Sequence, residues 1–200
     1  MITDNTAMKK LLTTALLVST ALLSGCLVPE HFTARVDVSP DASYTFKYNG
    51  TAVYALAAAQ LKQSGSLSAK DEAGLKAEAD KIGRQPDVRR ASYMGGGRYE
   101  LDLENKQSAG KPLTMFDVFF VRTDKDGTMV ISSVELKDKD KQELAKLDIK
   151  LDGTLEVSLP RNAEVISQNA TSTPTLGFGT YSWKIGRLDQ RPMLRVRLKS

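Results

Sequence analysis

The sequence predicts one α+β domain with mainly antiparallel sheet and two main helices after the first hairpin. Short segments of alternating apolar and polar residues recur along the chain, which is the pattern of half-buried strands. Two segments with helical spacing follow the first pair of strands. The composition does not shift between residues 33 and 200, so these elements are expected to form one domain of about nine or ten strands.

The predicted domain opens with a β-hairpin. In residues 33–38 and 43–48 apolar side chains alternate with polar ones. Between them lies Ser39-Pro40-Asp41-Ala42, in which Pro40 presets φ and Asp41 can bond the backbone ahead. This combination predicts two antiparallel strands joined by a tight turn.

Two helices are expected after the interruption at Asn49-Gly50. Apolar residues from Val53 to Leu61 follow helical spacing, and Gly65 is expected to end this helix. Ser68 predicts the start of the second helix, with Asp71 in the position of an approximate capping box, and Gly83 closes it. Its other face carries charges of both signs, which is typical of a solvated face.

The remaining predicted strands share alternation or a strong apolar run between turn-forming residues. They cover residues 88–94, 98–104, 116–123, 128–134, 155–159, 164–167, 180–187 and 194–199. Residues 95–97 indicate a hairpin tip or a bulge, residues 137–141 are predicted to be a charged loop, and residues 141–147 a short helix. Residues 124–127 superficially match a calcium loop, but Thr128 stands where a third ligand is needed, so a plain turn is predicted.

The first 25 residues have the layout of a secretory signal. Lys9 and Lys10 precede an apolar run of 13 residues, from Leu11 to Leu23. As a helix this run would span about 20 Å, short of the roughly 30 Å hydrocarbon core of a bilayer. Signals usually begin at their basic residues, so Met8 is a plausible start and residues 1–7 a start-site extension.

The segment Leu23-Ser24-Gly25-Cys26 resembles a bacterial lipobox. The resemblance implies cleavage between Gly25 and Cys26, acylation of Cys26, and attachment to a membrane through this lipid. Leu27 in place of Asp implies the outer membrane in a Gram-negative source, and otherwise the outer face of the plasma membrane. Residues 26–32 are then the lipidated cysteine and a short tether, in which Pro29 holds the chain extended.

The charge of the chain is mild. The formal charge is +4 for the full chain, and about +3 after removal of the leader. Binders of nucleic acid cluster Lys and Arg more densely, so nucleic acid is not an expected partner. One face near the C-terminus could still form a basic patch for lipid headgroups or anionic glycans, or be an ordinary solvated strand face. Its members are Arg187, Arg191, Arg195, Arg197 and Lys199, with Arg89, Arg90 or Arg98 as contributors if their strands are neighbours.

The residues needed for common catalytic sites are scarce. His31 is the sole histidine and Cys26 the sole cysteine, so a Ser-His-Asp triad in the domain and a His-rich metal site are excluded. The three glycines at 95–97 lack the Gly-Lys-Ser/Thr of a phosphate-binding loop. The sequence therefore predicts a protein that is not an enzyme and holds no cofactor or metal.

Two segments resemble the LppM-type family of bacterial lipoproteins. They are residues 36–44 after Gly25-Cys26, and residues 159–165 with the following Asn169-Ala170 and the strand that carries Trp183. The resemblance implies a strand-rich α+β domain and a link to glycolipid binding. On its own pattern, Trp183 is predicted to lie in the core, and Phe178, between two glycines, to be the more exposed aromatic residue.

These observations predict an envelope lipoprotein whose domain binds a lipid, a glycan or an envelope protein without catalysis. The alternative is a structural or assembly subunit of an envelope complex. An internal cavity would favour the first function, and a large exposed apolar patch the second.

Overall fold

The computed structural model describes residues 27–199 and shows a mixed α+β fold. Within that range the elements are β1 (Leu27–Val38), β2 (Tyr44–Tyr54), α1 (Ala55–Ser64), α2 (Ala69–Ile82), β3 (Val88–Gly95), β4 (Arg98–Gln107), β5 (Leu113–Met115), β6 (Phe119–Thr123), β7 (Met129–Ser133), α3 (Asp138–Lys146), β8 (Asp152–Leu159), β9 (Ala163–Gln168), β10 (Gly179–Ile185) and β11 (Met193–Leu198). The predicted fold class and the helix pair after the first hairpin are confirmed. The strand count is eleven, above the predicted number.

The strands form two sheets. One has the order β10-β8-β1-β2-β4-β3, and the other has the order β5-β6-β7-β11-β9. Every pairing is antiparallel except that of β1 with β8. The inner faces share one core, in which the Phe119 ring lies 5.6 Å from that of Phe32 and 6.3 Å from that of Phe46. The period-2 alternation of the strands supplies these inward residues.

The helix pair is positioned by its end residues. The Ser68 hydroxyl accepts a hydrogen bond from the Asp71 N–H at 3.1 Å, which caps α2 as predicted. Gly65 ends α1 with a left-handed φ of 74°. Ala79 of α2 is buried in the core, and Tyr99 Oη of β4 donates to the Leu75 carbonyl at 3.3 Å. Helix α2 therefore covers part of the inner face of the six-stranded sheet.

The predicted tether is wrong for residues 27–32, because these residues are the first half of β1. Leu27 pairs with Tyr54 of β2, and His31 pairs with Asp152 of β8. Glu30 is buried and accepts hydrogen bonds from Arg98 at 2.9 and 3.1 Å. Strand pairing with distant segments, which the local sequence does not show, orders this stretch. The leader, Gly25 and Cys26 lie outside the described residues.

Two further segments differ from the prediction. Residues 116–123 are not one strand, because Phe116 and Asp117 adopt φ values of 54° and 52° and turn the chain between β5 and β6. Residues 137–141 are not a loop, because α3 begins at Asp138. Within α3, Lys141 and Lys146 form ion pairs with acidic residues three positions earlier, which favours the helix. No helix within residues 27–199 is long and apolar enough to cross a membrane.

Candidate functional site

A mostly apolar cavity lies at one end of the two sheets. Its volume is about 370 Å³, and we call it cavity A. The walls come from the start of β1, the β5–β6 turn, the segment after β7, helix α3 and the loop after β10. Representative lining residues are Phe32, Phe116, Val134, Leu144, Ile185 and Leu188. This volume falls within the range of ligand pockets, about 300–1,000 Å³.

A second, mostly apolar cavity, cavity B, is lined by residues of α2, β3, β4 and β5. Its volume is also about 370 Å³. Its lining residues include Tyr54, Ile82, Val88, Leu101, Leu103 and Met115. Leu27 and Phe116 line both cavities, so the two spaces are neighbours that share a wall.

The fold explains why space remains here. Helix α3 has no buried residue, and it covers cavity A through a single ridge that includes Leu144. The β5–β6 hairpin is short because β5 has three residues. Leu144 of α3 and Phe116 of the hairpin line the space without filling it. The result is an apolar space that a bound chain could fill.

The wall of cavity A also carries polar and charged side chains. Asp117, Asp140 and Glu143 line it, as does the single guanidinium of Arg187. The side chain of Arg187 bonds Asp189 at 2.9 and 2.6 Å, and this hydrogen bond raises the pKa of Arg187. Lys146 donates to Glu143 at 2.7 Å, and this hydrogen bond lowers the pKa of the Glu143 carboxyl. Carboxylates thus outnumber cations in the lining, which favours a ligand that brings hydrogen-bond donors.

The predicted basic patch is only partly assembled. Arg195 and Arg197 alternate along β11, and Lys199 follows directly after its last residue. Arg187 and Arg191 lie in the loop before it, and Arg187 alone of these five lines cavity A. The strands next to β11 are β7 and β9, so Arg89, Arg90 and Arg98 of the other sheet do not extend the patch.

Each of the five cations has an acidic partner. Arg195 and Arg197 lie 3.6 and 3.3 Å from Asp124 and Asp126 of the β6–β7 turn. The other pairs are Arg187–Asp189, Arg191–Glu135 and Lys199–Glu164. This surface is therefore charge-balanced, although such exposed pairs contribute little energy. Binding of headgroups or glycans by it stays a prediction.

The structure also shows the surroundings of Trp183, Phe178 and the turn at residues 124–127. Trp183 is buried at 4% exposure, as predicted, and its Nε1 donates to Asn169 Oδ1 at 2.8 Å. Phe178 is half-buried, with the Arg161 guanidinium 5.6 Å from its ring centre. Residues 124–127 form the predicted plain turn, in which Gly127 N–H donates to the Asp124 carbonyl. Among residues 27–199 no cluster of three His, Cys, Asp or Glu side chains could hold a metal ion.

The sequence did not indicate the two cavities, because each is lined by the ends of elements far apart in the chain. A partial signal existed in the apolar residues of the loops, such as Val134 and Leu188. Exposed large apolar residues in the described part of the chain are spread over several elements, namely Leu56, Met94, Val134, Ile166 and Leu176. The apolar cavities are therefore the main candidate site.

Comparisons with known proteins find likeness among solved structures. No family model matches the chain, and no curated protein matches it. The NMR structure of the folded domain of Mycobacterium tuberculosis LppM is similar, with a TM-score of 0.42 and 14% sequence identity. The match covers 86% of this chain and 94% of that one. At this level the likeness implies no shared function.

Proposed function

We propose that this domain binds the apolar chain of a membrane lipid in cavity A. The observation that carries the proposal is a mostly apolar space of about 370 Å³ whose wall includes Leu27, the residue directly after Cys26. Burial of a hydrocarbon chain yields about 0.8 kcal/mol per CH₂ group, so partial occupancy of such a space gives useful affinity. Attachment of the chain to an envelope membrane through Cys26, as the lipobox resemblance implies, would bring the cavity close to a supply of lipid.

The lining also favours a particular polar part for the ligand. Asp117 and Asp140 can accept hydrogen bonds from hydroxyl or ammonium groups. A bare phosphate would meet these carboxylates with like charge. The proposed ligand is therefore a lipid whose polar part carries hydrogen-bond donors, such as a glycolipid, and the proposed activity is binding without catalysis.

The test is native mass spectrometry of the full chain purified from the envelope of its own host. We expect a co-purified lipid on the wild type, and its loss on Leu144→Asp, which places a charge in the wall of cavity A. Leu144 is half-buried, so the loss of its contact is at most the roughly 1.5–3 kcal/mol of a fully buried leucine, which corresponds to a decrease in affinity of up to about a hundredfold.

A matched control is Leu176→Asp, because Leu176 is 73% exposed and lines neither cavity. This control should retain the lipid. Equal lipid content in wild type and Leu144→Asp would overturn the proposed site. A wild-type chain without bound lipid would overturn the proposed function.

A further inference from the structure

We propose that Phe116 is a partition that determines how far a bound lipid chain extends, and this inference rests on the proposed lipid-binding function. With Phe116 in place, the chain occupies cavity A alone. Without its ring, the chain continues into cavity B. Phe116 is thus a residue that determines specificity for chain length.

The first argument is the position of the ring. Of the residues that line cavity A, only Leu27 and Phe116 also line cavity B. Leu27 belongs to β1 and is held by its pairing with Tyr54. Phe116 lies in a turn, so strand pairing does not fix its position as it fixes that of Leu27.

The second argument is the backbone conformation of the turn. Phe116 and Asp117 are consecutive residues with left-handed φ values of 54° and 52°. A turn of this kind ordinarily uses Asn-Gly or Asp-Gly, and a bulky residue at positive φ is an outlier. Such strain is concentrated at ligand clamps and switch regions, because the surrounding structure must hold it. The unfavourable residue at this position is explained if its ring is needed between the cavities.

The third argument is how the turn and ring are held. Val118 N–H donates to the Met115 carbonyl at 3.0 Å, and Val134 N–H donates to the Val118 carbonyl at 2.7 Å. The Phe116 ring meets the ring of Tyr48 edge-on, with the centroids 4.7 Å apart. The backbone of the turn is therefore fixed, while one aromatic contact retains the half-buried ring. Substitution of this side chain should open the wall and leave the hairpin in place.

The experiment uses the full chain in phosphatidylcholine–phosphatidylglycerol vesicles doped with a glycosyl diacylglycerol that carries a diazirine near the end of one long acyl chain. After irradiation, mass spectrometry maps the labelled peptides. For the wild type we expect label on the peptides of cavity A around Val134 and Leu144. For Phe116→Ala we expect label also on the peptide of cavity B that carries Ile82 and Val88. The ratio of cavity B label to cavity A label should rise about tenfold, as expected when roughly two further chain carbons become buried.

The matched control is Phe120→Ala, because Phe120 lies in the same hairpin and lines neither cavity. It should give the wild-type pattern. Phe116→Leu, which keeps an apolar side chain, provides a second variant if Phe116→Ala does not fold, and should give an intermediate ratio. Label in cavity A with an unchanged ratio in both Phe116 variants would overturn the partition and leave the proposed function intact. Label of cavity B in the wild type at the level seen in Phe116→Ala would also overturn the partition. Absence of label from cavity A in the wild type would overturn the proposed function, and the partition with it.

Discussion

Substitution of Gly153 by Ala should both destabilise the domain and reduce the space in cavity A. A Cβ atom at this position of β8 would lie 2.2 Å from Cζ of Phe32 and 2.3 Å from its Cε1. The Phe32 ring therefore lies directly on the glycine, and it must move to admit a methyl group. Its ring stacks on Tyr48 at 5.7 Å and meets Phe119 edge-on at 5.6 Å, so these two rings restrict the movement. The open side is cavity A, which Phe32 lines.

The expected cost follows from two opposing effects. Overpacking of a core costs about 1–3 kcal/mol. Loss of the glycine's freedom in the unfolded chain returns about 0.4–1 kcal/mol. We expect Gly153→Ala to lower the free energy of unfolding by about 1–2 kcal/mol. The measurement is urea unfolding followed by the fluorescence of Trp183, the single tryptophan, with an unchanged m-value.

Gly74→Ala is the matched control, because nothing lies within 4 Å of a Cβ built at Gly74 in α2. It should raise the stability by about 0.5–1 kcal/mol through helix propensity. Combining Gly153→Ala with Phe32→Leu tests the cause, since removal of the ring should abolish most of the cost of the alanine. An equal cost of Gly153→Ala with and without the Phe32 ring would refute the reasoning.

Three further predictions concern positions outside the cavities. Ala42→Gly should stabilise the first hairpin by about 0.5–1 kcal/mol in urea unfolding. Ala42 has a φ of 65°, and a left-handed backbone conformation costs a residue other than glycine about 1–2 kcal/mol. A loss of stability would contradict this prediction. Burial raises the pKa of Tyr44 from 10.0 to about 12. The neutral phenol therefore stabilises the fold below pH 10.0, and this contribution is lost as the pH rises toward 12. Tyr44→Phe should flatten that part of the alkaline unfolding curve. Burial alone would raise the pKa of Asp37, but hydrogen bonds from Arg35 and Lys47 outweigh it and hold the pKa below 3.8. The ionised carboxylate of Asp37 therefore contributes stability above pH 3.8 that is lost as the pH falls through its folded pKa, and Asp37→Asn should make acid unfolding less steep.

The alternation of side chains was enough to predict most strands and their inward faces. Tyr44, Phe46 and Tyr48 are all buried on one face of β2, and Trp183 is buried in β10. This works because a strand that packs one face on a core must repeat every two residues. The Ser68 cap of α2 was predictable for a similar reason, since its hydrogen bond is local.

The features that the sequence did not show depend on contacts between distant segments. The apolar run that begins at Phe116 has strong strand propensity, and no Gly or Asn marks the turn that Phe116 and Asp117 make. The first half of β1 is ordered by the second half of β2, which lies beyond the predicted hairpin, and by β8, which lies far along the chain. The basic residues of β11 alternate as predicted, but nothing local shows that Asp124 and Asp126 face them. Local pattern gives the face of a strand, whereas its neighbours are set by topology.

The position of Leu27 connects the cavities to the predicted anchor. Leu27 lines both cavities and follows Cys26 directly in the sequence. A cysteine acylated at position 26 would therefore place its lipid beside the cavity wall, without an intervening linker. If the predicted anchor holds the chain on a bilayer, we expect the polar side chains of cavity A to meet the headgroup region. A lipid chain could pass between bilayer and cavity with little exposure to water, and exposure of apolar surface is the main cost of such a transfer.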